Sequence, residues 1–316
     1  MTTPQIRRQP RASVRSQVVT AALNTATTPY LAKLTGDELS PQLRAGLAKL
    51  DRIARIPALR GTGTEPLRIG EFTAEWIHGP GVPAVRDRAI LYLHGGGWLF
   101  GNIGTHRRMI SKISKAAGVP VLALDYRLFP AVGFDDEIGD CLAGYRWLLD
   151  HGVQPDRIVI MGDSAGGHLT LATALRARDA GLPTPGGLVG ISGVYDMSTE
   201  TKATHANNVA DRTGALRALG WMMRLVLGGA DPASSQVSPL HADVTGLPET
   251  LLVASSSEVI YCDSEVMAEK LAAAGVAVTL SVWPDQLHVF QTMGPLVPEA
   301  ARSIDEIAQF VRARLR

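Results

Sequence analysis

The sequence has 316 residues, 46% of them hydrophobic, and a formal net charge of +1 at pH 7. These values are those of an ordinary globular protein, without the charge excess that favours binding to nucleic acid or to an anionic membrane surface. The two cysteines, Cys141 and Cys262, are too few for a disulfide framework and lack metal-ligand spacing, which favours a reducing compartment.

The N-terminal region is predicted to be rich in helix. Its first 28 residues contain four arginines but no uninterrupted apolar run, so neither a secretory signal nor a transmembrane helix is expected, and we predict a cytoplasmic protein. Between residues 12 and 23, apolar side chains recur at helical spacing. This stripe favours a helix packed on its own protein over one lying on a membrane surface, because it lacks tryptophan and phenylalanine.

The pattern changes after a linker at residues 60–66, where glycine, threonine and proline occur. Strand-like apolar runs then alternate with amphipathic helices. Such alternation predicts right-handed βαβ crossovers and a mostly parallel, doubly wound α/β sheet. Strands are predicted at residues 67–77, 89–93, 119–126, 157–161, 188–192, 250–254 and 278–282, and helices at residues 105–117, 135–149, 167–180, 263–274 and 299–314.

Residues 197–238 interrupt this alternation. They contain no strand pattern, and Trp221–Leu227 predicts an apolar helix between polar flanks. An insertion at this point would lie above the carboxyl ends of the strands, where ligands bind in open α/β sheets. We therefore predict a helical cap, built from the insertion and from helices and linker in residues 1–60, over a main domain of residues 61–316. A peripheral helical lobe is the alternative.

A serine stands on a predicted strand-to-helix turn in the segment Gly162-Asp163-Ser164-Ala165-Gly166. Small residues on both sides allow the strained backbone that exposes a nucleophilic hydroxyl above a sheet. Ser164 is therefore the candidate nucleophile. If Ser164 only capped the following helix, the glycines around it would have no explanation.

A glycine-rich segment, residues 94–98, follows the predicted strand about seventy residues upstream. Glycine lets the backbone approach a ligand closely, and its N–H group can bind a developing oxyanion. We predict an oxyanion hole formed by the N–H groups of Gly96 and Gly97 with that of Ala165. A tight turn alone would not need three glycines. The residues predicted to support this loop are His94, Gly95 and Trp98.

The candidate base is His288. Proteins with this serine turn place their catalytic residues in the chain order Ser, then Asp or Glu, then His, which leaves the late histidines. His288 lies between the last predicted strand and the C-terminal helix, at the same sheet edge as Ser164. Other histidines are expected at the surface (His205, His241) or packed locally (His168).

Two carboxylates compete for the acid that orients this histidine. Glu258 closely follows the predicted strand at residues 250–254, whereas Asp263 lies where the next helix is predicted to begin and would be a natural N-cap. This capping alternative favours Glu258, and Asp263 stays open as the second choice. Asp196 is a distant third.

Taken together, these motifs resemble those of the bacterial hormone-sensitive-lipase-like carboxylesterases of the α/β-hydrolase fold. The likeness covers residues 88–314. It implies a hydrolase of short to medium acyl esters that uses neither a metal nor a cofactor and carries a helical cap. The segments that carry the resemblance are residues 94–98, 125–128, 162–167 and 288–290.

Three segments depart from the family's pattern. The motif at residues 125–128 continues as Phe-Pro-Ala without the usual glutamate, so any contact made by that glutamate would be missing. Glu258 is followed by valine where an aspartate-proline pair is common, which matches a glutamate-bearing branch of the family. Residues 285–286 are Asp-Gln where glycine is usual. None of these changes removes a member of the predicted triad.

We expect a serine carboxylic-ester hydrolase that forms an acyl-enzyme intermediate. An amide or N-acetyl hydrolase would use the same residues, and a non-catalytic small-molecule receptor of the same fold is a further alternative, against which His288 argues. A dinucleotide enzyme is not favoured, because residues 95–100 do not follow G-x-G-x-x-G. The expected partner is a small-molecule ester, with no nucleic acid, no integral membrane segment and a homodimer left open.

Overall fold

The computed structural model describes residues 3–31, 34, 38–209 and 214–316. Within these ranges, nine strands form one central sheet. The strands are β1 (Gln5–Arg8), β2 (Gly63–Ile69), β3 (Phe72–His78), β4 (Ala89–Leu93), β5 (Val121–Asp125), β6 (Ile158–Asp163), β7 (Gly187–Ile191), β8 (Thr250–Ser255) and β9 (Val278–Trp283). Their order in the sheet is β1-β9-β8-β7-β6-β4-β5-β3-β2. The pairs β2–β3 and β3–β5 are antiparallel, and the other pairs are parallel.

Helices cover both faces of this sheet, and apolar side chains on each face form a separate buried cluster. Successive residues of β4 point to opposite faces, so Leu91 and Leu93 belong to one cluster while Ile90 and Tyr92 belong to the other. The described helices are α1 (Val14–Leu31), α2 (Pro41–Ile53), α3 (Ile103–Ala117), α4 (Phe134–Asp150), α5 (Ala165–Asp179), α6 (Glu200–Thr204), α7 (Ala206–Val209), α8 (Ala215–Leu227), α9 (Tyr261–Ala273) and α10 (Pro298–Arg314), with short 3-10 segments at Pro155–Arg157, Pro239–His241 and Phe290–Leu296.

The predicted mostly parallel, doubly wound sheet is confirmed, with two differences at its edges. The stretch predicted as one strand, residues 67–77, belongs to a hairpin of β2 and β3, because Gly70 with a φ of +55° turns the chain between them. The N-terminal region begins with β1, which pairs in parallel with β9, rather than with a helix. All four residues of β1 are exposed, so the strand carries no apolar periodicity that would predict it.

Four strands of the sheet deliver the predicted site residues to one edge. Strands β4, β6, β8 and β9 run parallel, so their carboxyl ends lie on the same side of the molecule. The glycine loop, the candidate nucleophile, the candidate acid and the candidate base each follow one of these strands. This topology explains how residues far apart in the chain can form one site.

The segments predicted as cap contain the helices α1 and α2 and the helices α6 to α8. α1 packs against α8, and Oδ1 of Asp51 in α2 accepts the N–H of Gly101 at 2.8 Å, just after the glycine loop. The described part of residues 197–238 holds helices and no strand. Parts of both segments, residues 32–33, 35–37 and 210–213, lie outside the described residues. No described helix combines the length and apolar character needed to cross a bilayer.

Candidate active site

Ser164 occupies the sharp turn between β6 and α5. Its backbone has a φ of +55° and a ψ of −119°, a strained conformation for a residue with a side chain. The turn passes so close to β4 that a Cβ atom on Gly166 would lie 2.0 Å from the carbonyl oxygen of Leu93. A side chain at Gly166 would therefore displace the turn, which is the physical reason for a glycine at this position.

His288 follows β9 and faces this serine. Its Nε2 atom lies 2.9 Å from Oγ of Ser164, which is hydrogen-bond distance. The side chain of His288 is 45% exposed, so the ring is accessible to solvent. The candidate base is thus brought within reach of the proton that a serine nucleophile must lose.

Glu258 is the carboxylate that lies against His288. Its Oε2 atom is 2.7 Å from Nδ1 of the ring, and its Oε1 atom accepts the N–H of Ser255 at 2.9 Å. The glutamate is buried. Desolvation by the surrounding protein lowers the pKa of His288, but the hydrogen bond and negative charge of Glu258 outweigh this effect and the net shift of that pKa is upward. Glu258 can therefore orient the ring and stabilise its protonated form.

Asp263, the alternative acid, is buried in a different contact. Its carboxylate accepts the N–H of Tyr195 at 2.8 Å and lies 2.9 Å from Nζ of Lys202. The helix α9 begins two residues before Asp263, so the predicted N-cap is wrong: the aspartate is the third residue of the helix. Among the described residues, no hydrogen bond or ion pair joins Asp263 or Asp196 to His288.

The glycine loop after β4 passes beside the serine turn. Gly96 has a φ of +135° and Gly97 a φ of +60°, a region that favours glycine. A Cβ atom on Gly96 would lie 1.9 Å from the carbonyl oxygen of Phe100. Within the described part of the chain, no group accepts a hydrogen bond from the N–H of Gly96 or Gly97. These two donors, with the N–H of Ala165 at the first position of α5, could bind an oxyanion.

Trp98 and His94 pack beneath this loop. Trp98 has no exposed surface and packs edge-on against Phe134 and His168, with ring centroids 5.9 and 5.6 Å apart. It can therefore support the loop but lines no open pocket. The His94 ring stacks on Tyr126 at 4.4 Å. Burial, with a smaller effect from the charge of His106, lowers the pKa of His94 to about 4, so this ring is neutral near pH 7.

The other histidines considered in the sequence lie in local contacts. Nε2 of His168 lies 2.7 Å from the carbonyl oxygen of Val237, which joins α5 to the insertion. Burial lowers the pKa of His168 to about 4. The predicted surface position holds for His241, which is exposed and lies 3.5 Å from Asp196. His205 is partly buried and lies 3.3 Å from Glu265.

Two contacts near the site were not predicted. Nδ2 of Asn207, in α7, donates to the carbonyl oxygens of Ser256 at 2.6 Å and Glu258 at 3.1 Å, and so joins the insertion to the acid loop. Behind Ser164, the carboxylate of Asp163 lies 3.3 Å from Nε2 of His106. A single sequence carries no signal that links positions so far apart in the chain.

The helix α8 lies over the glycine loop. A Cβ atom on Gly97 would be 2.5 Å from Sδ of Met222, so the methionine covers the loop closely. A cavity of about 760 Å³ lies beside the same helix, lined by residues that include Phe129, Trp221 and Met223. Neither Ser164 nor His288 lines it, so the cavity is separate from the candidate active site.

Comparisons with known proteins agree with this architecture. Residues 90–292 match a family model described as an alpha/beta hydrolase fold. The chain is 42% identical over 274 residues to the esterase LipU of Mycobacterium tuberculosis, covering 83% of this chain and 91% of the relative. It is 37% identical over 286 residues to an acetyl-hydrolase of Streptomyces hygroscopicus, and the match covers 87% of this chain and 93% of the relative.

A solved structure extends the comparison to the fold. The crystal structure of an esterase from the bacterial hormone-sensitive lipase family matches with a TM-score of 0.83 at 35% sequence identity. The match covers 94% of this chain and 99% of the solved one. The protein therefore belongs to the bacterial hormone-sensitive-lipase-like carboxylesterase family of the α/β-hydrolase fold, as its motifs predicted.

Proposed function

We propose that this protein is a serine carboxylic-ester hydrolase with Ser164 as nucleophile, His288 as base and Glu258 as the acid that orients the base. The observation that carries the proposal is an unbroken chain of contacts, with Oγ of Ser164 2.9 Å from Nε2 of His288 and Nδ1 of that ring 2.7 Å from Glu258. Acyl transfer by a serine needs this arrangement. The relatives named as an esterase and an acetyl-hydrolase support the ester substrate.

The geometry supports a two-step reaction. Oγ of Ser164 attacks the ester carbonyl carbon while Nε2 of His288 takes the hydroxyl proton. The tetrahedral intermediate then breaks its bond to the alcohol oxygen, which receives that proton from His288. Water attacks the acyl-enzyme with His288 again as base, the carboxylic acid leaves, and the proton returns to Ser164. Glu258 orients the ring and stabilises the imidazolium in both steps.

The proposed oxyanion hole uses the N–H groups of Gly96, Gly97 and Ala165. Negative charge develops on the carbonyl oxygen when the tetrahedral intermediate forms, and donors fixed in advance need no reorganisation at that moment. Removing one such donor typically costs about 3 kcal/mol of transition-state stabilisation. The support for these three groups is the position of the glycine loop beside the serine turn, and the supporting contacts of His94, Gly95 and Trp98 beneath it.

We propose short to medium acyl esters as substrates. The support is the close approach of Met222 to the glycine loop, because a side chain over the reacting carbonyl limits the length of acyl chain that fits. Residues 1–60 and 197–238 would form a cap over a main domain of residues 61–316. The packing of α1 on α8 and the contact from Asn207 to the acid loop support this division.

The same proposal includes a cytoplasmic location, the lack of a nucleic-acid partner and a possible homodimer. A dimer would use one of the two edge strands, β1 or β2, because these present unpaired backbone groups. Sedimentation of the purified chain tests this point: a single species of monomer mass would contradict the dimer. The comparisons do not favour an amide hydrolase or a receptor over an esterase.

The direct test is hydrolysis of p-nitrophenyl esters from acetate to palmitate by the wild type and by Ser164→Ala, with fluorophosphonate labelling of both. We expect turnover on the shorter esters, labelling of the wild type, and loss of both in the variant. Turnover that survives in Ser164→Ala would contradict the nucleophile. Turnover of a matched acetanilide in place of every ester would favour the amide alternative.

A further inference from the structure

A buried cluster of titratable side chains lies directly behind the candidate active site. Asp163 precedes Ser164 and is buried. Its Oδ1 atom accepts hydrogen bonds from the hydroxyl of Tyr92 at 2.6 Å and from the N–H of Gly95 at 3.2 Å, and its Oδ2 atom lies 3.3 Å from Nε2 of His106. This one carboxylate therefore joins the serine turn, the glycine loop and α3.

The surroundings of His106 favour a doubly protonated ring. Nε2 faces the carboxylate of Asp163, while Nδ1 lies 2.8 Å from the hydroxyl of Thr105 and 3.3 Å from the carbonyl oxygen of Asn102. Both ring nitrogens thus have an acceptor. Burial lowers the pKa of His106, but the charge and hydrogen bond of Asp163 outweigh it and the net shift is upward. Burial raises the pKa of Asp163, but its contacts with His106 outweigh that effect and lower it.

An unpaired carboxylate at this position would oppose ester hydrolysis. A Cβ atom on Gly95 would lie 2.4 Å from Oδ2 of Asp163 and 3.1 Å from Cβ of Ser164, so the carboxylate and the reacting serine both lie against the glycine loop. Negative charge that develops on the substrate would be repelled by it. The field of Asp163 also reaches the proposed base, because its charge, like that of Glu258, raises the pKa of His288.

We propose that the partly buried His106 and the buried Asp163 form a positioning pair, in which the imidazolium neutralises the carboxylate that holds Gly95 against the serine turn. Neither residue contacts the reacting atoms. The inference rests on the proposed function, since it concerns groups that support Ser164 and the oxyanion hole. When His106 loses its proton as the pH rises, the charge of Asp163 is left unpaired behind the oxyanion hole, and the turnover rate falls.

The groups that face His106 favour its protonated form and leave it as the residue of this cluster whose pKa lies above the ordinary histidine value. Asp51, from α2, adds a second negative charge that favours the imidazolium. His94, from the glycine loop, stacks on His106 at 5.7 Å and is neutral, because burial and the His106 charge lower its pKa to about 4. Burial raises the pKa of the two nearby phenols, which stay protonated: these are Tyr92 and Tyr126.

The test is a double-variant cycle on p-nitrophenyl butyrate, with kcat and KM measured from about pH 6 to pH 10. We expect His106→Asn to lower kcat at least tenfold at pH 7.5 while KM changes less than twofold. Adding Asp163→Asn to that variant should recover most of the loss, because no charge is then left unpaired. The wild type should lose activity at alkaline pH, and the double variant should lack this decline.

Three outcomes would overturn the pair: a wild-type kcat in His106→Asn, no recovery in the double variant, or an alkaline decline that persists without His106. If His106 had only a structural role, His106→Asn would have a lower melting temperature and an unchanged kcat per folded molecule. If His106→Asn does not fold, the single variant Asp163→Asn tests the pair instead. Its amide oxygen can keep the two contacts of Oδ1, with Tyr92 and Gly95, while the charge is removed. In that variant the alkaline decline should be absent, and its persistence would overturn the pair.

Two further variants distinguish a failure of this inference from a failure of the proposed function. His151→Asn makes the same substitution at an exposed histidine on the far end of α4 and should behave as wild type. Ser164→Ala tests the nucleophile independently. If Ser164→Ala is inactive while His106→Asn matches the wild type, the positioning pair fails and the proposed function stands. If Ser164→Ala stays active, the proposed function itself fails.

Discussion

Nδ1 of His288 lies 2.7 Å from Oε2 of Glu258, while the other ring nitrogen faces Ser164. This contact outweighs desolvation by the surrounding protein and raises the pKa of His288 above the ordinary value of 6.5. The base must be unprotonated to accept the serine proton, so kcat/KM should rise with pH through a midpoint above 6.5. A pH–rate profile from about pH 5 to pH 9 measures this midpoint, and a value below 6.5 would contradict the assignment.

Replacing Glu258, the proposed acid, separates the two roles proposed for it. Glu258→Gln removes the charge that raises the pKa of His288, so the acid-side midpoint should move to lower pH. The rate should fall by about 10³- to 10⁴-fold, because an amide no longer holds the ring in the right tautomer. Glu265→Gln is the matched control, since Glu265 also pairs with a histidine, His205, outside the site. Equal losses in the two variants would remove the support for Glu258.

Asp263→Asn should damage stability rather than chemistry. Asp263 neutralises Nζ of Lys202, which has no exposed side-chain surface, at 2.9 Å. Removing one partner of a buried ion pair typically costs about 3–5 kcal/mol of unfolding free energy. We expect chemical denaturation to show a loss of that size while kcat per folded molecule stays within a few-fold of the wild type.

A double variant that removes both charges checks whether Asp263 acts through its ion pair with Lys202. Lys202→Met combined with Asp263→Asn leaves no buried charge unpaired and should be less destabilised than Asp263→Asn alone. A loss of kcat in Asp263→Asn as large as that in Glu258→Gln, without a loss of stability, would instead favour Asp263 as the acid.

Met222→Ala should shift the substrate preference towards longer acyl chains. The methionine covers the glycine loop, so truncating it opens space above the reacting carbonyl. Each additional methylene that becomes buried is worth about 0.8 kcal/mol, or about fourfold in kcat/KM. The measurement is the ratio of kcat/KM for p-nitrophenyl octanoate to that for the acetate, beside Met223→Ala, whose buried side chain belongs to the core of the protein. An unchanged ratio in Met222→Ala would show that the acyl chain lies elsewhere.

Glu137→Gln should stabilise the protein increasingly as the pH rises. Burial raises the pKa of Glu137 well above its ordinary value of 4.5. Its Oε1 atom accepts the N–H of Phe129 at 3.0 Å, which a glutamine oxygen can also do, and its Oε2 atom has no hydrogen-bond partner among the described residues. Above pH 4.5 the unfolded chain releases this proton while the folded protein retains it, so wild-type stability falls with pH up to the raised pKa.

Glu137→Gln lacks this loss of stability. The difference in unfolding free energy between the variant and the wild type should therefore grow by about 1.4 kcal/mol per pH unit between pH 4.5 and the raised pKa of Glu137. Urea denaturation at several pH values between about 4 and 9 measures it. Glu269→Gln, at an exposed position of α9, is the control and should show no such trend. A constant difference across the range would mean that Glu137 is ionised in the folded protein.

The strength of the sequence prediction differed between elements for physical reasons. Strands such as β4 and β6 are continuous apolar runs because they are buried on both faces, and their pattern is local. β1 has no such pattern, because all its residues are exposed and its backbone bonds to β9, more than 270 residues away, define it. Residues 67–77 are predicted as one strand because both arms of the hairpin are strand-like and only Gly70 and Glu71 separate them at the turn.

The sequence by itself determined the residues whose chemistry depends on local backbone geometry. Ser164 and the glycine loop could be predicted because strained turns and close backbone approaches require glycine at particular positions. The choice between Glu258 and Asp263 depends on which side chain reaches His288, and the pairing of Asp163 with His106 depends on how α3 packs on the sheet. Those are distances across the sheet, set by the parallel order of its strands, and only the tertiary structure decided them.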